Sequence, residues 1–232
     1  MDVAANLAKI REQMAAACRE HGRDPDSVRL VAIAKTKPVA QIEEALAAGQ
    51  TLIGESYVQE LVEKTDQLGE RAEWHFVGHL QSNKAKYLVD RVTLIHSVDR
   101  LSLAKEINKQ WRKAGQTANV LIQVNLGEEA SKSGTSPEQV EDLVRAVAAL
   151  ENIKIRGLMT LPPYCPDPED VRPCFRQLRE MADHLTACQL PGVVMQELSM
   201  GMTHDFRVAI EEGATLVRIG TAIFGERQYS SD

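Results

Sequence analysis

No stretch of this 232-residue chain is apolar for long enough to cross a bilayer, which sets aside a membrane-spanning protein. Positive charge is also short. Lys and Arg number 27 against 33 Asp and Glu, for a net charge of -6, so the phosphate backbone of a nucleic acid is not the expected partner. Cysteine is scarce and unpatterned: Cys18, Cys165, Cys174 and Cys188 form no CxxC and no metal-ligand spacing. They read as free thiols in a reducing compartment, which points to the cytoplasm. Residues Met1 to His21 mix charged and apolar residues at helical spacing, unlike a signal peptide. No linker, compositional break or repeat divides the chain, so a single domain over residues 1–232 is expected. No serine–histidine–acid order suggests a hydrolase. His75 and His79 are four apart, but a strand and Gly78 separate them, which spoils helical metal geometry.

What is present is a regular alternation. A first helix is predicted over 2–21, where Val3, Leu7, Ile10, Met14 and Ala17 recur at three and four. Strands follow over 28–34, 51–55, 74–77, 92–98, 119–126, 153–161, 193–198 and 215–219. Helices follow them in turn over 39–48, 57–68, 81–90, 100–114, 137–150, 170–188 and 204–212, with a short last one beginning at 222–224. Eight strand–helix pairs after one extra N-terminal helix is the count of a (β/α)8 barrel, an α/β fold whose usual size is about 250 residues. An open doubly wound sheet is the competing architecture.

The most informative stretch is Leu30-Val31-Ala32-Ile33-Ala34-Lys35-Thr36-Lys37-Pro38. Five apolar residues run as in a strand buried on both faces, and a lysine then stands where the strand should end. Alternate residues share a face, so Val31, Ile33, Lys35 and also Lys37 are expected to point one way. A primary amine at the mouth of an apolar interior is disfavoured as an ammonium, and the neutral amine condenses with aldehydes to a Schiff base. The alternative is an ordinary solvated lysine at a strand end.

In a barrel, phosphate is commonly held by the loops after strands seven and eight. Here those loops are Ser199-Met200-Gly201-Met202-Thr203 and Gly220-Thr221-Ala222-Ile223, each with a hydroxyl, a glycine and a helix start. Read separately, Gly201 and Gly220 could be turn residues, and Ser199 and Thr203 caps. Arg218 stands inside the eighth strand on the face of Gly220, where an arginine needs a carboxylate or a ligand acceptor. An aldehyde, a phosphate and an acceptor nitrogen together describe pyridoxal 5'-phosphate (PLP).

These residues occur in segments that resemble one family, the pyridoxal-phosphate homeostasis proteins. The segments are 34–38 around Lys35, Gly54-Glu55-Ser56-Tyr57-Val58-Gln59-Glu60, and 74–84 (Trp74 to Lys84). Ser131-Lys132-Ser133-Gly134, Arg156-Gly157-Leu158-Met159, 198–202 and 217–225 complete the set. The resemblance implies a barrel like the N-terminal domain of alanine racemase, with Lys35 as the PLP lysine. It implies that Ser199, Gly201, Gly220 and Thr221 hold the phosphate and that Arg218 faces the pyridine nitrogen. It further implies a protein that stores, delivers or senses PLP with no established catalytic turnover; a monomer is expected, and an open barrel mouth would let apo PLP-dependent enzymes receive the PLP. Ser56 stands where the family usually has Asn, and Met200 where a leucine is common.

The alternative function is a PLP-dependent amino-acid racemase. Racemases that resemble this barrel continue into a further domain carrying a tyrosine acid/base, whereas this sequence ends about seven residues after Gly225. None of Tyr57, Tyr87, Tyr164 and Tyr229 is placed by the sequence for that role. A lysine-dependent sugar-phosphate aldolase shares the amine and the loops but leaves Arg218 unexplained.

Overall fold

The structure, a computed structural model, describes residues 2–127 and 133–226; Lys132 and Tyr229 therefore lie outside the described residues. Eight parallel strands close on themselves in the order β1 to β8: Arg29–Ile33, Leu52–Glu55, Glu73–Phe76, Leu94–Val98, Ala118–Val124, Ile153–Thr160, Val193–Ser199 and Leu216–Ile219. Closure is made by β1 pairing with β8, which aligns Arg29 with Leu216 and Val31 with Arg218. The (β/α)8 barrel is therefore the fold, and the open sheet is excluded.

Helix α1 (Val3–Glu20) precedes the barrel, its N-terminus capped by the Asp2 carboxylate accepting from the Ala5 amide. Helices α2 (Val39–Ala47), α3 (Val58–Leu68), α4 (Leu101–Lys113), α5 (Val140–Ala148), α6 (Arg172–Ala187), α7 (Phe206–Glu211) and α8 (Thr221–Phe224) then alternate with strands. One expected helix differs. After β3 the segment 81–90 forms only a 3-10 turn over Ser82–Tyr87. Within that turn only Ala85 is buried, so no apolar stripe is present to hold a longer α-helix.

Two apolar layers result. The larger lies between strands and helices, with Leu7, Ile42, Leu61, Ile107 and Phe175 fully buried. The smaller fills the barrel, where Val31, Leu52, Leu94, Leu121, Met159 and Leu216 meet along the inward faces of six strands. Gly54 is required here, because a Cβ at that position would stand 2.5 Å from Ile33 Cδ1 and 2.9 Å from Val31 Cγ1. Among the described residues, no helix is long and apolar enough to cross a membrane.

Candidate functional site

Above the apolar layer, at the C-terminal ends of the strands, is a cavity of about 280 Å³. Lys35, Arg218, Gly220 and Thr221 line it, together with Thr203 and His204 from the loop after β7. A neighbouring cavity of about 530 Å³ shares Lys35 and Ser56 with it and reaches Tyr57, His79 and Ser133. The sequence reading thus brings four of its six candidates to one place. The other two, Ser199 and Gly201, lie behind that surface.

Lys35 sits just past β1, in a turn rather than within the strand. The Ala34 amide still donates to Gly54 O (2.9 Å), and the turn is closed by the Lys37 amide donating to Ala34 O (3.0 Å). Thr36 adopts φ +62°, an uncommon conformation for a β-branched residue that costs on the order of 1–3 kcal/mol. A buried ion cluster holds the turn in that shape. Lys64 Nζ donates to Ala34 O (2.8 Å), Glu55 Oε2 (2.7 Å) and Glu60 Oε2 (2.6 Å), while the Thr36 amide donates to Glu60 Oε2 (2.7 Å). Both backbone neighbours of Lys35 are therefore tied to one charge network. Burial pushes the Glu55 carboxyl above its ordinary range, against the opposing pull of Lys64.

The turn also corrects one expectation. Lys37 does not share the face of Lys35. Its ammonium donates to the carbonyls of Phe224 (3.0 Å), Gly225 (2.9 Å) and Glu226 (2.8 Å), at the C-terminal end of α8. The positive φ at Thr36 breaks the strand alternation that placed the two lysines together.

Arg218 is the deepest charge in the site, with 4% exposure. Its Nη1 donates to Ser199 Oγ (2.6 Å) and its Nη2 to Thr160 O (2.9 Å). These use two of five N–H donors, and the rest have no acceptor among the described residues. Burial pulls the guanidinium down to about 10, with Asp205 opposing, so it stays charged at neutral pH. Ser199 is fully buried, its Oγ also meeting His96 Nδ1 (2.8 Å). Its hydroxyl is thus spent beneath Arg218 and does not reach the cavity that was to hold phosphate.

Gly201 acts through its backbone. At φ +90°, a Cβ there would stand 2.5 Å from Ala209 Cβ, and its carbonyl accepts from the Arg218 amide (3.0 Å). The same loop is pinned by Asp205, whose Oδ1 accepts from the Met202 amide (2.6 Å). Burial raises the Asp205 carboxyl, and that amide bond and Arg218 oppose the rise. Across the cavity Gly220 packs on β1, with a Cβ position 3.2 Å from Ile33 O. The amides of Thr221 and Ala222 open α8 and so have no acceptor within the helix.

This donor set fits PLP: one primary amine, a buried guanidinium with unused N–H groups, and amides and hydroxyls from the loops after β7 and β8. The space is on the small side of ordinary ligand pockets, about 300–1,000 Å³, and opens into its neighbour. Ser56 borders both cavities, while Met200 is buried behind the loop.

Lys64, Glu60 and His96 are site residues that sequence reasoning missed. Signals for them existed. Lys64 falls on the buried stripe of α3 with Leu61 and Leu68, and His96 shares the inward face of β4 with Leu94. A polar residue in an apolar periodicity is a residue with a partner.

The family model for the N-terminal domain of alanine racemase matches residues 5–228. A pyridoxal phosphate homeostasis protein of Aquifex aeolicus is 47% identical over 230 residues, 99% of this chain and 100% of its own. That of Escherichia coli is 42% identical over 233 residues, covering 99% and 98%. Among solved structures, PipY of Synechococcus elongatus with PLP bound superposes with a TM-score of 0.85 at 36% identity, covering 96% of this chain and all of that one. Alanine racemase of Corynebacterium glutamicum, at 17% identity and a TM-score of 0.72, shares the fold over all of this chain and 62% of its own. By sequence and by fold, this chain belongs to the pyridoxal phosphate homeostasis proteins, built on the alanine racemase N-terminal domain.

Proposed function

We propose that the chain, as one domain over residues 1–232, is a cytoplasmic PLP-binding protein that stores PLP on Lys35 and hands it on, without turning over amino acids. The observation that carries this is the convergence of Lys35 and the buried Arg218 on one cavity closed by the loops after β7 and β8. Relatives named for PLP homeostasis, and a PLP-bound neighbour at 36% identity, support it.

When bound, PLP supplies an aldehyde that joins a primary amine with loss of water, and a ring that draws electrons only if its nitrogen is protonated. The chain's residues divide accordingly. Lys35 provides the amine, held by the Lys64–Glu55–Glu60 cluster. Arg218 faces the ring nitrogen with a permanent charge, which disfavours a proton there. Gly201 shapes one phosphate loop, and Gly220 and Thr221 form the other. Ser199 supports Arg218 from below. A racemase would need a second, oriented acid/base. Tyr57 borders the adjoining cavity, but it is 47% exposed and its hydroxyl has no partner among the described residues. With the mouth open, a monomer could pass PLP to apo PLP-dependent enzymes.

The test is borohydride reduction of the PLP-loaded protein with peptide mapping. The pyridoxyl adduct should fall on the Lys35 peptide and vanish in Lys35→Ala. An adduct confined to Lys37 or Lys132 would overturn the assignment. Incubation with L-alanine should yield no D-enantiomer or keto acid at ordinary enzymatic rates of about 1–10³ per second, while an apo enzyme mixed with the loaded protein should regain activity.

A further inference from the structure

A file of polar side chains runs through the barrel interior from one mouth to the other. Glu73 Oε1 lies 3.3 Å from His75 Nε2, His75 Nδ1 lies 2.9 Å from His96 Nε2, and His96 Nδ1 lies 2.8 Å from Ser199 Oγ. Arg218 Nη1 closes the file at 2.6 Å from the same Oγ. Two pairs of strands from opposite sides of the closed barrel, β3 with β4 and β7 with β8, contribute to it. The inner members are almost fully buried, whereas the Glu73 side chain is 41% exposed. Glu73 and His75 line a polar cavity of about 350 Å³ at the opposite, N-terminal mouth, beside Arg29, Arg156 and Glu197.

The chemistry of the two ends fixes every proton between them. A guanidinium only donates, so Ser199 Oγ accepts from Arg218. The serine's own proton then goes to His96 Nδ1, which must be bare, and the His96 proton sits on Nε2. That N–H donates to a bare His75 Nδ1, and the His75 Nε2–H donates to the Glu73 carboxylate. The reverse order would set a bare His75 nitrogen against that carboxylate and leave the serine proton without an acceptor. Both imidazoles are therefore neutral and in the same tautomer. The charges facing His96, from His75, Arg218 and Arg29, all disfavour its protonation, whereas His75 meets Arg29 on one hand and the carboxylates of Glu73 and Glu197 on the other. Burial lowers both, His96 far more, although Glu73 pulls His75 the other way.

We propose that Glu73, His75, His96 and Ser199 are positioning residues for Arg218: the one-way file anchors one edge of the guanidinium inside the barrel and turns its unused N–H groups toward the ring nitrogen of bound PLP. This rests on the PLP reading for its purpose, but the file itself can be examined without PLP. It also explains two buried histidines and a buried serine that the cavity does not use.

The experiment has two arms. In protein labelled with ¹⁵N-histidine and carrying no PLP, long-range proton–nitrogen correlations are followed from about pH 6 to 8. His75 and His96, assigned by loss of their signals in His75→Gln and His96→Gln, should both show the neutral Nε2–H tautomer and no titration. A proton on either Nδ1, or titration of either ring within that range, overturns the proposal. In the second arm the protein is loaded with PLP labelled at the ring nitrogen. His96→Leu should move the ring-nitrogen signal and weaken PLP retention about tenfold or more. His96→Gln, whose amide can still accept from Ser199 and donate to His75, should restore both. Ser199→Ala breaks the file at its other end and serves if the leucine variant does not fold. An unmoved ring signal in the broken-file variant refutes the positioning role. A wild-type protein that takes no pyridoxyl adduct at Lys35 would refute the proposed function, while the tautomer arm would still decide whether the file exists.

Discussion

Replacing Lys64 by methionine tests the device that holds the Lys35 turn. The ammonium is 7% exposed and neutralises Glu55, whose side chain is fully buried, and Glu60, which is 29% exposed. Methionine keeps most of the apolar stem, so the loss is mainly the charge. Ala34 O keeps one donor, the Lys37 amide, and adds little. Breaking a buried pair from one side costs about 3–5 kcal/mol, because the remaining charge is left uncompensated. For a chain of this size that is a fall in Tm of about 6–20 °C. The cost should depend on pH. Burial already holds Glu55 above its ordinary range, and Lys64 is the largest influence opposing it. Without Lys64 the carboxyl rises further, helped by the nearby Glu60. A carboxyl with a raised folded pKa binds more protons in the folded state, so stability falls as pH rises through that window. Lys64→Met should thus be hurt more near pH 7 than near pH 5, where Glu55 takes up a proton. Adding Glu55→Gln should recover part of the loss at pH 7, with a coupling of about 0.5–3 kcal/mol. Urea unfolding at both pH values measures all three quantities. A loss below about 1 kcal/mol, or one independent of pH, would refute the reasoning.

If the loops after β7 and β8 hold the phosphate, pyridoxal should bind orders of magnitude more weakly than PLP, since several hydrogen bonds to charge, each about 1.5–3 kcal/mol, are lost; equal affinities from equilibrium dialysis would refute the placement. Gly201→Ala forces a Cβ to 2.5 Å from that of Ala209 in a left-handed backbone, and should lower stability by about 1–3 kcal/mol and loosen PLP. An unchanged melting temperature would show that the loop after β7 is more yielding than its packing implies.

Much of this was legible in one dimension because it is periodic. The inward strand residues, the stop at Gly213 after α7 and the lysine after Ala34 are local patterns of two and 3.6 residues, and they yield strands, helices and the (β/α)8 count directly. Lys35, Arg218, Gly220 and Thr221 could be named because chemistry-bearing residues stood where strands end. Local pattern failed where one residue changes direction. Thr36, in a left-handed conformation, separates Lys37 from Lys35, and no periodicity announces that. It failed again after β3, where a stretch of helical composition had too little to pack against. The surroundings of Ser199 were illegible for a different reason: it is the last residue of β7 rather than the first of the loop, and what its hydroxyl meets, His96 and Arg218, depends on two other strands. Only closure of β1 on β8, which aligns Val31 with Arg218, brings β3, β4, β7 and β8 around one interior. There a carboxylate and a guanidinium far apart in sequence fix the protons of the groups between them. Which side chains lie inward is set by the strand's own alternation; which of them touch is set by the register of the closed barrel, a property of eight strands at once.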